Sequence, residues 1–482
     1  MAAGFRTLIF SPLVALIKDQ LESLHRFGQA AGGVSSLYSK FENTRTLNEW
    51  KRGDLDFLIV APERLKNEEF LQALRTTPPD MVVVDEIHVA SEHAFNFRPD
   101  YRKIAPFIQE LNPKVFLGLT ATFTSDVEED LRTIFCLPDA VKTAAYYERT
   151  NLQMHSKEFT SNMQLLRDVN KIDGSAIIYF STVKRLEAAY REIGHMVEGG
   201  ACMYHGSITP NNKDTNQTMF MNGSVRVVFA TISFGMGVDK ADIRGVLQVT
   251  VPGSIEELVQ GFGRGGRDGG ACTCLYYMDT DSIDIQKFFI DMGYPPKSLI
   301  HAFYRAVKSN LDSDGNCNLR IGDVCRLGSV PTQYASAISS ILFGEGILAR
   351  AKQETPLRAK ILETPKTAAQ KRIIEGITEY GVRDPKTGYY EADLEFLAEQ
   401  ISSTPGQIIK SLKTMVTNGL VEFEDPGNSN PLRVLAPIEK LDTNKLTKRR
   451  NDAMTRLDEV INFWDVKDEE KHSTLKTYFE RE

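Results

Sequence analysis

The feature that most constrains this chain is a series of short β-branched apolar runs separated by helix-like stretches. They are TLIF (7–10), FLIVA (57–61), MVVVD (81–85), VFLGLTAT (115–122), SAIIYF (175–180), VRVVFAT (225–231), GVLQVTV (245–251) and CLYYM (274–278). The runs are continuous and do not alternate with polar residues, so each strand is expected to be buried on both faces. Alternation with helices then predicts parallel sheets and an α/β architecture. Two sets are visible, one before about residue 145 and one from about 175 to 290. The polar join YYERTNLQM (146–154) reads as a hinge.

The character changes near residue 296, where the chain becomes helical. Two similar units follow, 321–350 and 393–424, each a helix, a turn holding a proline (Pro331, Pro405) and a second helix. That is helix-turn-helix spacing. After the second unit, VEFEDPGNSNPLRVLAP predicts a hairpin of two extended arms, and so a winged helix. Its candidate recognition helix offers Lys410 and Lys413 as cations for DNA; a winged helix that packs only against protein is the alternative. The last segment predicts a helical hairpin in which Met454, Leu457, Ile461 and Trp464 share an apolar face. The implied domains are 1–147, 148–295, 296–385, 386–438 and 439–482.

The net charge is −7, so any nucleic-acid contact must come from local patches. None of the six cysteines forms a CxxC pair, and no zinc is expected. Cys272 and Cys274 sit two apart in a strand-like stretch and read as buried thiols. No apolar run is long enough to span a bilayer, and residues 1–12 resemble no targeting segment. The expectation is a chain without membrane partners, cytoplasmic and nucleoid-associated, or nuclear in a eukaryote.

Four motifs carry chemistry. In VVVDEIH (82–88) an apolar strand ends in two carboxylates, at the sheet edge where α/β proteins place ligands. Asp85 suits a magnesium ion bridging nucleotide phosphates, and Glu86 can deprotonate an attacking water. GLTATF (118–123) is a strand ending in Thr120-Ala121-Thr122. ATISFGMGVDK (230–240) is a strand followed by a glycine-rich turn. QGFGRGGRDGG (260–270) carries Arg264 and Arg267, and guanidinium groups stabilise charge on a transferred phosphoryl group. The glycines around them are expected to allow close backbone approach.

In this order, the motifs resemble those of superfamily 2 helicases of the RecQ family. SPLVALIKDQ (11–20) is similar to motif Ia, VAPERL (60–65) to motif Ib, and DEIH (85–88) to the DEAH box with Ile87 for alanine. GLTAT resembles motif III, SAIIYFST motif IV, FATISFGMGVDK motif V and QGFGRGGRDG motif VI, with Gly261 for a usual glutamate. SEHAFNFRPDY (91–101) resembles the family's aromatic-rich loop, with His93, Phe95 and Asn96 departing from its pattern. The resemblance covers residues 7–290 closely. It implies two RecA-like lobes, the first incomplete, ahead of the helical and winged-helix region. It also implies an ATP- and Mg2+-dependent 3′-to-5′ DNA helicase acting at single-strand–duplex junctions in recombination or repair.

The resemblance also assigns roles. Asp85 would hold magnesium, Glu86 would be the base, and His88 and Thr120 would couple nucleotide to DNA. Gln260, Arg264 and Arg267 would reach the γ-phosphate, with Gly237 and Asp239 lining the same cleft. Ser11, Pro12, Lys18, Arg64, Phe97, Arg98 and Thr231 would contact DNA.

The family's GxxxxGK[ST] phosphate loop should precede Ser11, and no Gly-Lys dipeptide occurs in the 482 residues. The strand leading into that loop is normally central, so a gap is expected in the first sheet. A truncated chain is one reading, with the loop supplied by a complementing polypeptide as a possibility; a degenerate module that binds DNA or a partner without turnover is the alternative.

Overall fold

A computed structural model of the protein describes residues 4–12, 14–35, 38–91, 99–120, 125–137, 139–143, 148–231, 234, 240–350, 357–363, 365, 367–401, 403–424 and 431–480. Contacts divide the chain into two units, Met1–Ile290 with Lys448–Glu482, and Asp291–Thr447. The first unit holds two parallel sheets.

The first sheet contains β1 (Thr7–Phe10), β2 (Ala31–Val34), β3 (Phe57–Val60), β4 (Met81–Val84) and β5 (Val115–Gly118), in the order β2-β3-β1-β4-β5. The expected gap is not there. β1 pairs with both β3 and β4, and β4 pairs with β5, all in parallel. The consequence of the short sheet appears at its margin. On one face, Leu8, Phe10, Val82 and Val84 form the main core with Val127, Leu131 and Phe135. On the other, the helix Val14–Arg26 contributes Ile17 and Leu21 to a small core with Ile59. Beyond that helix, Val115, Leu117 and Leu119 are 37%, 39% and 44% exposed.

The second sheet contains β6 (Leu152–Glu158), β7 (Ser175–Tyr179), β8 (Ala201–Tyr204), β9 (Val227–Ala230), β10 (Ile243–Gln248) and β11 (Cys272–Met278), in the order β6-β11-β10-β7-β9-β8. The expected continuous burial is met: β9 is buried along its whole length. Cys272 and Cys274 are buried free thiols. The C-terminal helical hairpin also forms, as helices Thr443–Asp465 and Lys471–Phe479. Leu457, Val460, Phe463 and Leu475 join the core of this sheet, with Ile461 and Trp464 packed against it. No helix among the described residues is long and apolar enough to cross a membrane.

The second unit holds two small antiparallel sheets. Their strands are β12 (Asn316–Cys317), β13 (Leu348–Arg350), β14 (Leu357–Ile361), β15 (Val382–Arg383), β16 (Tyr390–Ala392), β17 (Val421–Glu424) and β18 (Leu432–Val434). Both helix-turn-helix units form, as Ile321–Leu327 with Ala335–Gly344 and Leu394–Gln400 with Pro405–Thr417. The hairpin expected after the second does not. Its arms, β17 and β18, lie in different sheets, ordered β15-β16-β14-β17 and β12-β18-β13.

The reason is local chemistry. Arg358 on β14 donates to Glu424 on β17 at 2.6 Å, and opposite charges facing across a strand pair favour that pairing. Leu432 is 1% exposed because it enters the core of the first helix-turn-helix, opposite Arg350 of β13. The second helix-turn-helix, with its own core, is thus inserted between β13 and β18 of the first.

Candidate nucleotide and nucleic-acid site

β4 delivers the first cluster. The Asp85 N–H still donates to Phe10 O at 2.9 Å, which extends the ladder one residue past the strand. Glu86 then turns the chain in a left-handed conformation, φ 50°. For a residue other than glycine that costs roughly 1–2 kcal/mol, and such strain concentrates at functional sites. The Glu86 N–H donates back to Asp85 Oδ1 at 3.0 Å, and the short turn Ile87–Ala90 follows. Ile87 in place of alanine is accommodated because it packs on Gly118, where a Cβ would lie 2.6 Å from Ile87 Cδ1.

His88 is 3% exposed, and its Nδ1 lies 2.8 Å from Thr120 Oγ1 and 3.2 Å from a Glu86 carboxylate oxygen. The ends of two neighbouring strands therefore meet through one imidazole nitrogen. Gln20, which the sequence did not flag as a site residue, donates to Asp85 Oδ2 at 3.1 Å across 65 residues. The Tyr101 hydroxyl reaches Asp85 O at 3.3 Å. No spacing rule links these positions to residue 85; only the folded sheet edge does.

Burial is the largest influence on the Asp85 carboxyl and pushes its pKa up; the neighbouring Glu86 adds to this, while Gln20, the Glu86 N–H and His88 oppose it. Around it, Ser11 Oγ and Gln20 Oε1 are buried and make no hydrogen bond among the described residues, while Glu86 Oε2 lies 3.2 Å from His88 Nδ1. Buried oxygens without donors beside a destabilised carboxylate are a chemical match for a hydrated divalent cation. The set therefore fits magnesium held through Asp85 and water.

The second cluster lies on the second sheet. The helix Ile255–Phe262 carries Gln260 and leads into the loop with Arg264 and Arg267. Tyr179, at the end of β7, is buried beneath it. Burial raises its phenol to about 12 even though both arginine guanidiniums pull the other way. The glycines here do more than admit a ligand. A Cβ at Gly265 would collide with Cys272, and Gly266 sits at φ 52° against the Asn151 amide.

The remaining assigned residues are scattered. Ser11 and Pro12 are buried at the end of β1, Lys18 is exposed, and Arg64 is half-buried with its pKa lowered by desolvation. The Thr231 N–H donates to Tyr204 O at 3.1 Å, beyond β9. Phe97, Arg98, Gly237 and Asp239 lie outside the described residues, as do His93, Phe95 and Asn96. Lys410 and Lys413 stand exposed on the helix Pro405–Thr417, in the second unit.

Residues 1–130 match the family model for DEAD/DEAH box helicases, and residues 158–269 that for the helicase conserved C-terminal domain. The chain is 32% identical over 291 residues to the ATP-dependent DNA helicase RecQ of Bacillus subtilis, covering 60% of this chain and 49% of that protein. The chain belongs to the RecQ family of superfamily 2 helicases. A second relative, the probable ATP-dependent DNA helicase RecS of Bacillus subtilis, is 28% identical over 360 residues, or 73% of this chain and 72% of that protein. The matched stretch thus spans about half of RecQ's own length. Among solved structures, the DEAD-box helicase Mss116 bound to single-stranded RNA and UDP-BeF aligns with a TM-score of 0.48 at 19% identity, covering 57% of this chain and 60% of that one. The RecQ assignment rests on the family models and relatives, and the fold on the two sheets themselves.

Proposed function

We propose that this chain carries the water-activating and arginine portions of an ATP-driven 3′-to-5′ DNA helicase of RecQ type. The observation that carries the reading is the convergence of Asp85, Glu86, His88 and Thr120 at the carboxyl edge of the first sheet. In hydrolysis, the Glu86 carboxylate takes a proton from the attacking water. The water oxygen bonds to the γ-phosphorus, and the bridging bond breaks to leave ADP and phosphate. Asp85 and the unpartnered oxygens around it would hold magnesium, which neutralises phosphate charge when bound. Arg264 and Arg267 face the charge that develops on the transferred group. The His88–Thr120 contact ties the nucleotide site to the strand end of β5, a route by which DNA contact can be felt at Glu86.

The phosphate cradle in this reading comes from outside these residues, from a complementing polypeptide or from further chain. DNA junctions are the proposed substrate, recombination or repair the setting, and the cytoplasm or nucleus the location. The second reading is a module that binds DNA or a partner without turnover.

DNA-stimulated ATP hydrolysis by the purified chain decides between them. Glu86→Gln is expected to reduce turnover about 100-fold or more, the scale of a lost general base. No detectable turnover in the parent chain, even with a polypeptide that supplies the phosphate loop added, would establish the binding module. Equal unwinding of 5′- and 3′-tailed duplexes would contradict the direction.

A further inference from the structure

The arginine loop is held from a distance. Between Arg264 and Arg267 stand only Gly265 and Gly266, and the carbonyls of both accept hydrogen bonds from Arg149 Nη2, at 2.6 and 2.8 Å. Asn151 Nδ2 donates to Gly266 O and Gly270 O, each at 2.9 Å, and its Oδ1 accepts from Arg149 Nε at 3.2 Å. The Asn151 carbonyl in turn accepts from Cys272 N at 2.9 Å. A further brace lies behind the loop, where Arg244 pairs with Asp268 and Asp268 accepts from Gly270 N.

A run of glycines has more backbone freedom than any other sequence, and alone it would leave two flanking guanidiniums undirected. Here two of the three peptide planes between the arginines are fixed by side-chain donors roughly 115 residues earlier in the chain. Those donors lie at the entrance to β6, in the stretch that joins the first sheet to the second. Arg149 suits the task because its Nη2 carries two N–H donors, one for each carbonyl, while its Nε braces Asn151. Asn151 suits it because one amide nitrogen carries two donors.

We propose that Arg149 and Asn151 are positioning residues that set the direction and spacing of Arg264 and Arg267. The inference rests on the helicase reading for its catalytic consequence, though not for its structural one. Neither residue touches the nucleotide in this proposal; each acts through the arginine loop.

Asn151→Asp keeps the shape and removes both donated hydrogen bonds. In the full chain it is expected to lower kcat for DNA-stimulated ATP hydrolysis about tenfold or more, the scale on which misplaced groups lose rate, with KM for ATP little changed. In an Arg267→Ala background the same change is expected to lower kcat by less than it does in the parent, because only Arg264 is then left to misplace. An independent readout needs no turnover: trypsin should nick faster after Arg264 and Arg267 in Asn151→Asp than in the parent, mapped by mass spectrometry. Arg149→Met is the second variant, expected to do the same. Unchanged nicking in both variants, or effects of Asn151→Asp and Arg267→Ala on kcat that multiply, would overturn the proposal. If Arg267→Ala leaves turnover intact, the helicase reading of the arginines fails, and the nicking result alone still decides whether Arg149 and Asn151 hold the loop.

Discussion

The two parallel sheets of the first unit are built from the same kind of strand and finished differently. The second sheet ends at β6 under a cover. Trp464 Nε1 donates to Lys157 O at 3.3 Å, His472 Nε2 lies 2.9 Å from Leu152 O, and Lys471 Nζ donates to Ser156 Oγ at 2.8 Å. Lys471 is 1% exposed; its ammonium also bonds the Phe463 and Val466 carbonyls and lies 4.8 Å from the Phe463 ring. Desolvation lowers its pKa, so the three acceptors are what make a buried cation tolerable. Among the described residues, the first sheet ends at β5 with one face covered, by Phe135 stacked on Phe116 at 5.4 Å. The difference teaches that an apolar run predicts a strand but not how much of it will be buried.

That contrast can be broken in three ways. The largest effect is expected at the covered margin. Phe463→Ala removes a buried ring from the hairpin–sheet core and should cost about 3–5 kcal/mol in urea denaturation of the chain. A loss under about 1 kcal/mol would mean that the hairpin is an ornament, not part of the second sheet's core.

A middle effect is expected at the joint between the acidic cluster and β5. Gly118→Ala forces a Cβ into Ile87 and should cost about 1–3 kcal/mol by overpacking. Ile87→Val removes the terminal methyl that lies nearest, so the double variant should be more stable than the sum of the two losses implies. Strict additivity in the denaturation midpoints would show that the two side chains do not compete for that space.

The smallest effect is expected at the open margin. Leu117→Lys on the exposed face should shift stability by no more than about 0.5 kcal/mol, while the same change at Leu247, fully buried in β10, should prevent folding. Sedimentation of the Leu117→Lys chain should show weaker self-association, since an exposed apolar edge strand invites pairing. A large destabilisation would mean that the β5 face is covered after all.

Much of the site was legible because it is local. Asp85 and Glu86 follow a buried strand, and a carboxylate pair at that position announces itself without any tertiary information. Thr120 and Arg264–Arg267 likewise sit at strand ends or in a glycine-rich turn. Gln20, Tyr101, Arg149 and Asn151 were not read as site residues, because each acts through a hydrogen bond spanning 16 to 119 residues and belongs to no periodicity. The glycines of the arginine loop were read as allowing close backbone approach, and the structure shows that Cys272 and the Asn151 amide are what approach them.

The sequence by itself determined the class of the protein, through continuous β-branched runs alternating with helices, and through the carboxylates and arginines at their ends. Tertiary structure alone decided where strands stop having neighbours and which arms pair. β17 and β18 are separated by a turn-like stretch that reads as a hairpin. Yet Glu424 finds Arg358 and Leu432 finds a different core. Strand pairing is chosen by side chains on the partner strand, and the partner is far away in sequence.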